Sequence, residues 1–263
     1  MQEYLWMAGS IFKIAIFITV IVICCVRMKK DSHFASPYVI FFVLSVSCLL
    51  AEEAYFLFHL VLRESERMPF FSAEDIGAYG GLMLFTASLR TCLKCDNKYS
   101  VRHIVFAGGF AVVNAGMYVY FGTEILSAAI YAATMGYFLV NILQCFDNMK
   151  VLNFKKFVVL RVGGALLCAL LILEMFIDED WGKLWVGMEA FLWFAAMAYV
   201  IVRTVNELRS KRPTAVALSY ALWLLCLFTM YMSYNPWYTI ADTMSAVSTI
   251  PIYMALAREA VKS

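Results

Sequence analysis

Two adjacent carboxylates and an imidazole stand inside one long apolar stretch of this chain, the run from Ser45 to His59. Glu52, Tyr55, Phe56 and His59 fall at i, i+3, i+4 and i+7, which is one face of a helix. Glu53 is turned by about 100° from Glu52, so the two acids meet different neighbours. An ionised acid at the middle of a bilayer costs a few kcal/mol, and such groups face a bundle interior, where they serve cation, proton or cationic-ligand sites. The bland alternative is a pair of structural acids, one of them neutralised by a base. Lys13 is the base in reach, about two turns from the start of the first apolar run.

Further acids share the same half of the bilayer. Glu189 lies about two turns inside the seventh apolar run. Glu174 and Asp242 lie near run ends and are expected to reach water. Facing one another, Lys13, Glu52, Glu53, His59, Glu174, Glu189 and Asp242 would line one outward cavity. Acids beside aromatic side chains suit an organic cation, through ion pairing and cation–π contact. The candidate ligand-binding residues are therefore Lys13, Glu52, Glu53, Tyr55, His59 and Glu189. No catalytic residue, metal site or cofactor is assigned.

Cys92-Leu93-Lys94-Cys95, with His103 downstream, has the spacing of half a zinc site or a redox pair. The second half-site of a structural zinc centre is missing. Only three histidines occur in the chain, which leaves little for an intramembrane enzyme. Phosphate-binding glycine loops and zinc-protease or serine-hydrolase signatures are absent from the sequence.

Around these residues the chain is 63% hydrophobic and 15% charged, with mean hydropathy +0.77. Soluble domains carry about 25% charge. The apolar residues come in blocks near the 20 or so that a helix needs to cross a bilayer. The expected fold is an all-α polytopic membrane protein, a single domain of about nine transmembrane helices. The spans are Tyr4–Val26, Pro37–Leu62, Glu74–Leu93, Val101–Phe121, Glu124–Cys145, Phe157–Ile177, Lys183–Val205, Thr214–Tyr231 and Tyr238–Ala257.

Charge in the connections orients this array. With the N-terminus outside and the C-terminus cytoplasmic, the inner segments hold 17 Lys and Arg and the outer ones three. That asymmetry is what the positive-inside rule requires. It predicts a multi-pass protein of the cell membrane. Positive charge follows the first apolar run rather than preceding it, unlike a cleavable signal peptide. Cys24, Cys25, Cys92, Cys95 and Cys145 then fall on the cytoplasmic side and are expected to be reduced thiols.

Small residues recur every four positions in two neighbouring spans: Ala107, Ala111 and Ala115, then Ala128, Ala132 and Gly136. This spacing lets helix backbones approach closely. Gly80-Gly81, Gly108-Gly109 and Gly163-Gly164 are expected to pack in the same way or to allow bends. Pro251 is expected to kink the last span.

The reading that follows is a receptor or sensor holding a small cationic ligand, with membrane lipid around it and a cytoplasmic or membrane partner protein as its output. A proton- or cation-coupled transporter or channel is the alternative, and a structural subunit of a larger complex is a further one. Nucleic acid is not an expected partner.

Overall fold

The computed structural model describes residues 2–63, 72–95, 98–120, 125–150, 179–231 and 237–261, together with seven positions between 158 and 173; for 179–190 it describes the backbone only. Nine α-helices are formed by these residues, and no strand occurs among them. They are α1 (Gln2–Lys30), α2 (Pro37–Arg63), α3 (Ala73–Leu93), α4 (Val101–Tyr120) and α5 (Ile125–Asn148), then α6 (Glu179–Arg209), α7 (Thr214–Tyr231), α8 (Trp237–Val247) and α9 (Thr249–Ala260). Five stretches are long and apolar enough to cross a membrane: Tyr4–Lys30, Pro37–Leu62, Ile125–Asn148, Phe191–Arg209 and Trp237–Ala260. Helices fill eight of the nine expected spans; the sixth, 157–177, lies outside the described residues except for isolated helical positions.

Local chemistry sets several boundaries. Arg27, Lys29 and Lys30 crowd the last turn of α1, and a short 3-10 turn, Ser32–Phe34, leads to Pro37. Proline suits the first turn of a helix, where its missing N–H has no partner to lose. Ser72 caps α3 through a capping box with Asp75, whose carboxylate accepts from the Ser72 amide at 3.1 Å. Lys94 closes α3 in the left-handed conformation at φ 49°.

The helix α7 is the axis of the bundle. It packs against α3, α5, α6, α8 and α9. Tyr220 and Trp223 on this helix meet Phe85 of α3 at 5.4 and 4.9 Å between ring centroids. Phe138 of α5 and Phe42 of α2 complete the aromatic cluster. A buried hydrogen-bond chain crosses it. The Tyr220 hydroxyl donates to Ser88 Oγ at 2.6 Å, and Ser88 Oγ donates to the Tyr38 carbonyl at 2.6 Å. On the outside, Ile11, Ile18, Val22, Val105 and Val112 are exposed. Apolar side chains on the exterior of so hydrophobic a bundle suit hydrocarbon rather than water.

Two helix pairs approach closely. A Cβ added at Gly136 of α5 would stand 2.9 Å from Ala111 Cβ and 3.1 Å from the Ala107 carbonyl oxygen, so the small-residue stripes of α4 and α5 do interlock. Between α2 and α3 the tight point is Gly77, where an added Cβ would lie 2.9 Å from Glu52 Cβ and 3.0 Å from the Cys48 carbonyl oxygen. Gly108 and Gly109 take no part in the α4–α5 contact: among the described residues nothing lies within 4 Å of a Cβ added at either. Ala107 and Ala111 take the contact face of α4, and the glycine pair points away from it.

The last span is interrupted at one residue, Ser248, which keeps helical backbone angles (φ −67°, ψ −12°), as a helix kinked by Pro251 would. α8 ends at Val247 and α9 begins at Thr249. The Pro251 ring cannot share space with the carbonyl four residues back, which is that of Val247. Side-chain hydroxyls satisfy the carbonyls loosened by the interruption. Ser245 donates to Asp242 O, Ser248 to Ser245 O and Thr249 to Ala246 O, each at 2.6 Å.

The cysteine expectation is overturned at one pair. Cys95 and Cys145 are joined by a disulfide, with Cα atoms 6.0 Å apart. The left-handed Lys94 turns the chain so that Cys95 lies against α5, a tertiary approach that cysteine spacing along the chain does not encode. Cys24, Cys25 and Cys92 remain thiols.

Candidate functional site

Three helices deliver charge to one buried point. Lys13 comes from α1, Glu53 from α2 and Asp242 from α8. Lys13 Nζ lies 2.5 Å from Glu53 Oε2 and 2.6 Å from Asp242 Oδ2. Lys13 is 7% exposed and Glu53 6%. An ammonium has three donors, and two of them are taken by these contacts. One positive and two negative formal charges leave the trio at −1 when all are ionised. Burying such a group is costly, and mutual attraction offsets the cost only while each member keeps its partner. Glu53 Oε1 is buried with no hydrogen-bond partner. Ser10, one turn before Lys13 and also buried, sits beside the Glu53 carboxylate.

The register explains the meeting. α1 and α2 are joined by a short turn and pack on each other, so Lys13 and Glu53, each well back from that turn, come level. α8 packs on α1, and Asp242 is five residues beyond its first residue, Trp237, a depth of about 7–8 Å at 1.5 Å per residue. Asp242 was expected to reach water; instead it is drawn onto the buried ammonium of Lys13. It is the site residue that sequence reasoning left out of the candidate set. The available signal was its place on the same bilayer half as Lys13.

A second feature lies on the far part of α2. His59 is 8% exposed, and neither of its ring nitrogens has a hydrogen-bond partner among the described residues. It lines a cavity of about 370 Å³ with Ala54, Tyr55, Phe58 and Leu62. The Tyr55 and His59 rings meet edge to face at 6.3 Å. Phe58 and Leu62 are exposed, at 67% and 68%, so the cavity is open along that side of the helix.

The six candidate residues are thus divided. Lys13 and Glu53 belong to the ion cluster, and Tyr55 and His59 belong to the cavity. Glu52 is half-buried and packs at the α2–α3 contact beside Gly77. Glu189 is on α6, but its side chain, like Glu174, lies outside the described residues.

The cysteine motif is split as well. Cys95 is bonded to Cys145 rather than set beside Cys92 for a metal, and His103 Nδ1 lies 3.3 Å from Gln144 Oε1. Among the described residues no group of three or more His, Cys, Asp or Glu is placed to hold a metal ion.

No protein-family model matches the chain, and neither a curated protein nor a solved structure is significantly similar to it. Functional reasoning therefore rests on the chemistry of these two places.

Proposed function

We propose that this chain is a receptor or sensor of the cell membrane that holds a small organic cation at the Tyr55–His59 cavity. The observation that carries this reading is His59. A buried imidazole with both nitrogens unpartnered offers one donor and one acceptor to whatever enters the cavity it lines. Leaving such a group unpaired costs about 1–3 kcal/mol, which a hydrogen-bonding ligand would recover. Tyr55 and Phe58 supply aromatic surface for a cation, and Glu52 shares the helical face of Tyr55 and His59.

The orientation belongs to the same proposal. The chain crosses nine times, with its N-terminus outside and its C-terminus cytoplasmic, as the asymmetry of 17 against three basic residues supports. The cavity then opens on the outer half of the bilayer. The Lys13–Glu53–Asp242 cluster ties α1, α2 and α8 together one to two turns deeper, so a ligand that shifts α2 pulls on the interrupted last span. A cytoplasmic or membrane partner protein reads that shift.

The test is a thermal melt of the purified protein in detergent against a panel of quaternary ammonium ions, polyamines and aromatic amines. A ligand binding only the folded state adds about 2.7 kcal/mol at a hundredfold excess over its dissociation constant. The expected result is a cation that raises the melting temperature of wild type and not of Tyr55→Leu or His59→Leu. Indifference of wild type to the whole panel sinks the cation reading.

One observation favours a second reading, a proton- or cation-coupled transporter. Transporters place ion sites where helices are interrupted, and Asp242 is carried between one and two turns before the one-residue interruption at Ser248. Flux of a stabilising cation into proteoliposomes would decide for it over the receptor.

A further inference from the structure

The end of the bundle opposite the cavity is built differently. There Arg90, Cys95, Tyr99, Ser100 and His103 are stitched along one stripe of α5. The Arg90 guanidinium donates to Asn141 Oδ1 at 2.9 Å, and the Tyr99 hydroxyl donates to the same oxygen at 3.0 Å. Arg90 also lies over the Tyr99 ring, 5.2 Å from its centroid. The Ser100 amide donates to Gln144 Oε1 at 3.2 Å. Asn141, Gln144 and Cys145 fall at i, i+3 and i+4, so the disulfide is the covalent member of this row. Arg90, Lys94, Lys98 and Arg102 all lie within seven residues of Cys95 along the chain. In the orientation proposed above, this basic end is cytoplasmic. Disulfides in that compartment are transient, formed and broken by exchange.

The same turn holds a third sulfur. Cys92 is three residues before Cys95, remains a thiol, and packs with Cys95 against the edge of the main core. A thiol adjacent in sequence to a bonded one is the arrangement that resolves mixed disulfides.

We propose that Cys92, Cys95 and Cys145 form a thiol–disulfide exchange site, opened by a cytoplasmic dithiol, that releases the α3–α4 connection from α5. The Cys92 thiolate attacks Cys95 Sγ. A Cys92–Cys95 bond forms as the Cys95–Cys145 bond breaks, and Cys145 leaves as a thiolate that takes up a proton. This step moves one disulfide within the protein and needs no electrons. The dithiol then attacks the Cys92–Cys95 bond through a mixed disulfide. It leaves as its own disulfide, and Cys92 and Cys95 return as thiols. With Cys145 released, the connection keeps its hydrogen bonds to Asn141 and Gln144 but loses its covalent tie to α5.

The experiment uses the full chain in sealed membranes, with dithiothreitol as the dithiol and a mass-tagged maleimide to count thiols. The exposed Cys25 serves as the reference for a reactive thiol. Without reductant, Cys95 and Cys145 are expected to be protected. In dithiothreitol both become reactive in the folded protein, and Cys92→Ser opens at least about tenfold more slowly, as loss of an intramolecular attacking thiol predicts. Cys145→Ser, oxidised with diamide, is expected to yield a Cys92–Cys95 peptide by mass spectrometry. Because Cys92→Ser leaves the Cys95–Cys145 bond in place, its slower opening is readable without any question of folding. Three outcomes overturn the proposal. In the first, Cys95 and Cys145 react as fast as Cys25 without reductant. In the second, the bond opens at the same rate in Cys92→Ser. In the third, a phosphine that cannot cross membranes opens it in intact cells, which marks an external structural disulfide.

Discussion

At one end of this bundle Lys13 meets two carboxylates, Glu53 Oε1 has no partner, and the His59 imidazole faces a cavity. At the other, Asn141 Oδ1 accepts from both Arg90 and Tyr99, while its amide nitrogen donates to the Tyr137 carbonyl at 2.6 Å. Both regions bury polar groups between helices. The second saturates them and adds a covalent bond; the first leaves an oxygen and two nitrogens unsatisfied. A saturated network fixes helices in place and holds no capacity in reserve. Unsatisfied buried groups carry a cost that only an incoming partner removes. On the reading proposed above, the unsatisfied groups at the ion-cluster end are the ones open to a ligand, and the bonded row on α5 serves to hold helices in register.

The contrast breaks most readily at Lys13. Replacing it with Met leaves two buried carboxylates facing each other without a counter-ion, which costs about 3–5 kcal/mol. The triple variant Lys13→Met, Glu53→Gln, Asp242→Asn removes the charges together and should recover most of that loss. Thermal melts in detergent measure both. A single Lys13→Met variant as stable as wild type would mean that the cluster holds nothing together.

Truncation at the basic end is the next effect in size. Asn141→Ala strips the acceptor from Arg90 and Tyr99 at once and should cost about 1–3 kcal/mol, with a charged donor among those orphaned. Under dithiothreitol the loss should grow, because the disulfide no longer holds the same junction. Equal losses with and without reductant would show that the disulfide and the hydrogen bonds do not share one junction.

Helix contact gives an effect of similar size, read in a pair. Gly77→Ala pushes a methyl to 3.0 Å from the Cys48 carbonyl oxygen, which cannot swing aside, and should cost about 1–3 kcal/mol. Gly108→Ala meets nothing within 4 Å and should be neutral or stabilise by up to about 1 kcal/mol through helix propensity. If both melt alike, the close α2–α3 contact at Gly77 does not limit stability.

Much of this was legible in the residues. Long apolar blocks and charge asymmetry foretell a helical membrane bundle, because the bilayer imposes helix length directly. The Lys13–Glu53 pair was accessible for the same reason: depth in the bilayer is nearly a function of position along a span. What depth does not encode is which helices are neighbours. Asp242 joins the cluster because α8 packs on α1, and Cys95 finds Cys145 because α3 packs on α5. Glu52 and Glu53 were one motif in the sequence, yet the 100° between them sends one to α3 and the other to Lys13. Gly108 and Gly109 stay out of the α4–α5 contact, because composition cannot say which face a helix turns to its partner.

The smallest stability effect is expected at His59, and its sign carries the argument. A buried imidazole bonded to its neighbours loses about 1–3 kcal/mol when replaced by leucine, through the partners left behind. His59 has no such partners, so His59→Leu removes an unpaid desolvation cost and should leave the melting temperature unchanged or raise it by the equivalent of about 1 kcal/mol. The same variant should lose any stabilisation by an organic cation that wild type shows. These two readings separate a binding residue from a packing one. Unchanged stability with lost ligand response is the signature of a group kept for its ligand. A destabilised His59→Leu would show that the imidazole belongs to the saturated kind of network found at the basic end.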